Sequence, residues 1–219
     1  VTPSIRIQEA HLSEAGRKAA ESLAAWIGHP VRMDWSRPET VAAEDAGDLF
    51  GPQDAEVAAC VMEVHGVARG RFVLVIDAAG IARFVNAMMG LGTEVTADQR
   101  RTIAEKPGEF WDELARSAAL ETSNIVACAF LNVLAKAMEG KAGTSGPVDL
   151  LPTPPTFKLD FAGSLSQMLI ADVADDCDGV LLTRSRIHVE DAADGDWRLV
   201  WVPLGQVDLA GECPEGPEA

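Results

Sequence analysis

Two stretches of β-branched and apolar residues, each doubling back through a short turn, limit what this chain can fold into. "EVAACVMEVHGVARGRFVLVI" (56–76) reads as one β-hairpin, with the glycines of "HGVARG" suited to its turn. "GVLLTRSRIHVE" and "DWRLVWVPL" read as a second hairpin, joined by the acidic turn "DAADG". Strands joined this closely are antiparallel, because a parallel pair needs a crossover of roughly a dozen residues or more. The segment order is helix, strand, hairpin, helix, then long helix, helix, hairpin. That order excludes the βαβ alternation of a Rossmann-type fold and points to a mixed α+β class.

The remaining segments follow from their punctuation. A helix is predicted over about 4–27, ended by Gly28 and the His29-Pro30 step. "VRMDW" follows as a strand, and 36–52 is polar and turn-rich, a loop or mixed connector. Asp77 is placed to cap the helix "AAGIARFVNAMM", which Gly90 closes. Residues 91–106 form a polar linker or a poorly packed helix. Pro107 opens a long helix that Gly140 stops. "GKAGTSGPVDLLPTPPT" is a loop, a shorter helix spans about 160–173, and the tail "GECPEGPEA" is expected to be disordered.

The order of segments repeats. Each half begins with a helix carrying Glu, any residue, a small residue, then a polar one: Glu14-Ala15-Gly16-Arg17 and Glu121-Thr122-Ser123-Asn124. Each half then delivers a two-stranded ribbon. The expected organisation is one domain over 1–204 in two related halves, about 4–106 and 107–204, with a flexible acidic tail over 205–219.

The long helix holds "SAALETSNIVACAFLNVLA" (117–135). At about 100° per residue, Ser117, Glu121, Asn124 and Cys128 share a narrow arc. Ala115, Ala119, Val126, Phe130 and Val133 lie opposite. The apolar side suits packing on a sheet, which turns the Ser-Glu-Asn stripe outward. A solvated face is the ordinary meaning of such a stripe. This one lacks the long Lys and Glu mixture of a solvated face, and Asn is a poor mid-helix residue. No His, Lys or metal-ligand cluster stands near it in sequence, so covalent catalysis and metal hydrolysis are poorly supported. A carboxamide can orient a water for in-line attack on phosphorus without a charge that repels the anion. A carboxylate can anchor a partner's lysine and fix the register of docking.

Charge narrows the partners. Thirty-four acidic residues against 18 basic ones give a formal charge of −16. Such a chain repels nucleic acid and anionic membrane surfaces, and Arg100-Arg101 is too small a basic patch to reverse that. Cys60, Cys128, Cys177 and Cys213 form no CxxC and have no His at metal-ligand spacing. Cys60 and Cys128 sit in apolar runs and are expected in or near the core. No secretory signal or membrane span is expected, since the longest strongly apolar run, 125–131, is too short to cross a bilayer. A cytoplasmic location follows as the expectation. His11, His29, His65 and His188 are scattered, with His65 placed in a turn, and read as structural. The acidic run 175–178 lacks the spacing of a calcium loop. "GTEVTAD" is not followed by the GK[ST] of a phosphate loop. The five Trp are assigned to the core and hairpins, Trp111 among them.

The stripe resembles the signature of the CheC/CheX/FliY family of chemotaxis phosphatases: Asp or Ser, three residues, Glu, two residues, Asn. Ser117, Glu121 and Asn124 match it in full. "VHGVARGRFVLVIDAAGIARFVNAMMG", "LPTPPTFKLDFAGSLSQMLIADVA" and "GVLLTRSRIHV" resemble further family segments, so the similarity covers most of 5–204. The resemblance implies a CheC-like fold of two pseudo-symmetric halves, with helices packed on long antiparallel strands. It implies hydrolysis of the aspartyl phosphate of a CheY-like response regulator. Asn124 would orient the attacking water, Glu121 would contact the regulator at its active-site lysine, and Ser117 would complete the binding signature. The chain would carry no cofactor of its own, and Mg²⁺ would belong to the regulator. By resemblance alone, a CheD-like deamidase is a further candidate partner.

Three positions depart from the family pattern. In the first half Glu14 and Gly16 match, but Arg17 stands in place of Asn and Ala10 in place of Asp or Ser. Arginine donates only and cannot also accept from a water, so the first site is expected to be dead or an anion-contacting remnant. In the second half Ser123 stands where a Gly is usual, which bears on how closely a regulator approaches. The alternative reading is a non-catalytic binding module of the same fold, as in the flagellar switch proteins.

Overall fold

The computed structural model describes residues 9–36, 39–42, 47–67, 69–138, 148–171, 179–189 and 192–204. Helix α1 (Glu9–Ile27) leads to strands β1 (Val31–Trp35) and β2 (Glu39–Ala42), and then to the hairpin β3 (Glu56–Gly66) and β4 (Arg69–Ile76). Helices α2 (Ala78–Met88), α3 (Ala97–Glu105), the single turn α4 (Pro107–Phe110) and α5 (Glu113–Met138) follow. Strands β5 (Leu150–Pro152) and β6 (Thr156–Phe161), helix α6 (Ala162–Ala171) and the hairpin β7 (Gly179–Val189) and β8 (Ala192–Leu204) complete the described chain.

All eight strands form one antiparallel sheet in the order β1-β7-β8-β4-β3-β5, with β2 also on β7 and β6 also on β3. The pairing is symmetric about the β4–β8 contact. The first half gives β1 and β2 to the second half's β7, and the second half gives β5 and β6 to the first half's β3. This is the CheC-like arrangement of two related halves.

Both faces of the sheet are covered, and the period-2 pattern of each strand assigns its residues. Ala58, Cys60, Met62 and Val64 of β3 join Phe72 and Leu74 of β4 and Trp197, Leu199 and Trp201 of β8 under α1, α2 and α5. Ala59 of β3, Val73 and Val75 of β4, and Val200 and Val202 of β8 face the other way, against Leu165 and Leu169 of α6 and Leu49 and Phe50. Phe130 of α5 centres the larger core. Its ring lies 5.6 Å from Phe72, 6.1 Å from Trp201 and 6.2 Å from Trp35. By length and composition α5 could cross a membrane, with a mean hydropathy of 1.5. Here it is the core helix, its apolar face spent on the sheet and on α1.

Local chemistry sets the element ends. Asp77 caps α2 by accepting from Gly80 N at 2.8 Å, and its other oxygen accepts from Trp197 Nε1 at 2.8 Å, tying the first half to β8. Gly90 closes α2 at φ 69°. Thr96 and Gln99 form a capping box at the start of α3, which buries no residue. A side-chain pair between Asn86 and Gln99, at 2.8 and 2.9 Å, holds α3 to α2.

Several expected boundaries move. Residues 36–52 are not all connector, because β2 pairs with β7 from Glu39↔Leu182 to Ala42↔Gly179. The long helix does not start at Pro107. Trp111 buries its ring against Phe157, 5.1 Å away, and breaks the helix; Asp112 then restarts it by accepting from Ala115 N at 2.9 Å. The Gly/Pro-rich loop contains β5, and the helix expected from 160 begins at Ala162 after β6. His65 is in β3, opposite Leu151, rather than in a turn. β8 starts at Ala192, inside the stretch expected to be turn. The first helix's start before Glu9, the long helix's stop at Gly140, the acidic run 175–178 and the tail 205–219 lie outside the described residues.

Phe130→Ala is expected to cost about 3–5 kcal/mol, the range for emptying a buried aromatic site. Urea unfolding followed by tryptophan fluorescence measures it, and Phe130→Leu should lose clearly less.

Candidate functional site

A core helix presents its remaining face with little freedom to move. On α5, Ala115, Ala119, Val126, Phe130 and Val133 are all buried, as the helical arc requires. α1 packs along α5, and Ala15, Ala19 and Ala20 of α1 share the larger core with Ala118 and Ala129 of α5, small side chains that suit close helix approach. The opposite arc is therefore outward. Ser117 and Glu121 are exposed, and Asn124 and Cys128 are half-buried.

Glu121 makes no ion pair among the described residues. The Cys128 thiol donates to Asn124 Oδ1 across 3.8 Å, which leaves the Asn124 amide N–H groups uncommitted within the described structure. Burial, then the Glu121 charge, raises the Cys128 thiol pKa above its ordinary value, so the thiol stays neutral beside Asn124. A carboxylate and a carboxamide thus stand one turn apart on a rigid helix, both able to take an external partner.

Asn124 also opens onto a groove of about 460 Å³ between α1 and α5. Lys18, Glu21 and Ser22 of α1 form one wall; Asn132 and Lys136 continue the α5 wall. Sequence reasoning passed over these walls. The i, i+4 row from Asn124 through Cys128 and Asn132 to Lys136 was the available signal.

The matching face of α1 is differently occupied. Arg17 bonds Glu21 at 2.5 Å and lies 3.9 Å from Glu14, while Lys18 sits 3.2 Å from Glu14. These pairs are solvent-exposed and stabilise by well under about 1 kcal/mol each. Their consequence is geometric: Glu14 and Arg17 satisfy each other and their neighbours, whereas Glu121 and the Asn124 amide N–H groups face outward without a partner among the described residues. Among the described residues no group of three or more His, Cys, Asp or Glu is placed to hold a metal ion.

The fold is CheC-like, two interlocked halves, and Ser117, Glu121 and Asn124 lie on the outward arc of the second half's helix. Solved structures share this fold. FliY of Thermotoga maritima superposes with a TM-score of 0.64 at 16% identity, over 87% of this chain and 85% of that one. A chain of the FliM–SpeE complex from H. pylori gives 0.52 at 11% identity, over 90% of each chain. A chain of the FliG–FliM complex from H. pylori gives 0.51 at 10% identity, over 90% of this chain and 94% of that one. At such identities the likeness is one of fold. No protein-family model matches the sequence, and no curated protein matches it.

Ser123 does not bear on a partner's approach, contrary to the sequence expectation. It is fully buried, donates to Ala119 O at 2.8 Å and hydrogen-bonds Cys60 of β3. Its counterpart Gly16 is likewise a packing position: a Cβ there would meet the Trp35 indole at 2.1 Å. The small residue after Glu-x thus sets how closely each helix lies on the sheet. Burial pushes the Cys60 thiol from 9.0 up to about 11, with the Ser123 bond offsetting part of the rise. Between those values the unfolded chain has released the proton and the folded chain keeps it. Stability from this group is therefore complete below pH 9.0 and falls as pH rises toward 11. The full loss is on the order of 2–3 kcal/mol. Urea unfolding of wild type and Cys60→Ala at neutral and alkaline pH should show the smaller alkaline loss in the variant.

Proposed function

We propose that this protein hydrolyses the aspartyl phosphate of a CheY-like response regulator, with one working site on α5. The observation that carries this reading is the outward Glu121 carboxylate and the uncommitted Asn124 amide N–H groups, on a helix whose other face is locked in the core. In the reaction Asn124 holds a water in line with the acyl phosphate bond. The water oxygen attacks phosphorus, the P–O bond to the aspartate breaks, and inorganic phosphate and the free aspartate carboxylate are released. Glu121 pairs with a lysine of the regulator and sets the register, and Ser117 borders the contact. Mg²⁺ would enter with the regulator. A regulator of this kind would place the chain in the cytoplasm, and a CheD-like partner rests on sequence resemblance alone. On this reading the α1 face, with Arg17 and Glu14 bonded to neighbours, does no chemistry.

A second reading has its own support. Chains from two FliM complexes resemble this fold, which favours a module that binds a regulator or a flagellar-switch partner without catalysis. Phosphate release from phosphorylated receiver domains separates the two. Asn124→Ala should slow release by about 10²-fold, the scale for losing one positioned polar group in a transition state. The same substitution should leave the fold intact and raise its stability by about 0.5 kcal/mol, since Ala is the better helix former. Binding with no acceleration by the wild type would support the second reading, and an Asn124→Ala protein as fast as wild type would sink the first.

A further inference from the structure

We infer that the α1/α5 groove seats an acidic segment of the phosphorylated partner, with Lys136 as its principal contact. The inference rests on Asn124 being the reacting end of that groove. Four observations support it. Acids outnumber bases 34 to 18 across the chain, yet the groove lining reverses the balance, with Lys18 and Lys136 against Glu21 alone. That one carboxylate is held by Arg17 at 2.5 Å and Lys18 by Glu14 at 3.2 Å, so the charge left over at the walls is the Lys136 ammonium. The rest of the polar lining, Ser22, Asn124 and Asn132, can donate hydrogen bonds to carboxylates without adding negative charge. Lys136 is exposed in the last turn of α5 and makes no ion pair among the described residues.

The groove also sets a distance. Lys136 stands twelve residues beyond Asn124 on one helix, about 18 Å at 1.5 Å per residue. A partner docked with its phosphoaspartate at Asn124 therefore presents a carboxylate cluster about 18 Å away, along the α5 axis. This is a selection rule among receiver domains, since those lacking acids at that separation meet an ammonium with no counter-charge. A rim charge of this kind acts on encounter and affinity more than on the chemical step.

The test uses receiver domains that this protein dephosphorylates or binds. Phosphate release is measured with wild type, Lys136→Glu, Lys136→Arg and Asn124→Ala. Binding is measured separately with the receivers carrying Mg²⁺ and beryllofluoride. Lys136→Glu is expected to raise KM about tenfold with kcat unchanged, to weaken binding in parallel and to flatten the dependence on salt. Lys136→Arg should behave as wild type, and replacing the receiver's acids by lysine should restore Lys136→Glu. If Lys136→Glu changes neither KM nor binding while Asn124→Ala abolishes turnover, the docking inference is overturned and the catalytic reading stands. If Asn124→Ala turns over normally while Lys136→Glu still weakens binding, the catalytic reading falls and the groove assignment survives.

Discussion

Neither half of this chain finishes its own sheet. Among the described residues β1 and β2 pair only with β7, and β5 and β6 only with β3, while β4 and β8 form the seam. Unpaired strand groups buried beside a core are costly, so each half depends on the other for its hydrogen bonds as well as for its apolar cover. The Asp77–Trp197 bond and the ring cluster around Phe130 reinforce the same seam with side chains from both halves. The placement of α1 beside α5 follows from this exchange, and with it the groove that the two helices share.

The two halves have used the same platform differently. On α5 the outward row ends in unspent polar groups, and mid-helix Asn124 is tolerated because burial of the opposite face holds the helix regardless of local propensity. On α1 the equivalent row has closed into Glu14, Lys18, Arg17 and Glu21. That closed row is a wall for the α5 groove. A helix that is inert as a second site still shapes the first.

Much of this was legible in the chain itself. The two hairpins, the Asp77 cap, the outward arc of Ser117, Glu121 and Asn124, and the core role of Cys60 all follow from local pattern, because one face of each element is buried and the period survives in the sequence. β2, β5 and β6 did not show. They are three to six residues long, two of them lie in segments rich in Pro, and their extended state is imposed by β7 and β3 from far along the chain. The break at Trp111 was hidden for a related reason: it depends on Phe157, more than forty residues away, accepting the indole. Ser123 looked like part of an interaction surface because its neighbours are, and the difference of 100° that turns it inward is visible only once the sheet is in place. The groove walls were missed because their residues on the two helices stand more than a hundred residues apart.

The exchange of strands also orders events during synthesis. Val31 pairs with Val189, so the first two strands have no backbone partner until the seventh has been made. A ribosome adding about 5–20 residues per second leaves them waiting for many seconds. Contacts this distant in sequence form late, and unpaired edges are where nascent chains stick to one another. An excess of acids, 34 against 18 bases over the full chain, works against that sticking, because copies of like charge repel one another.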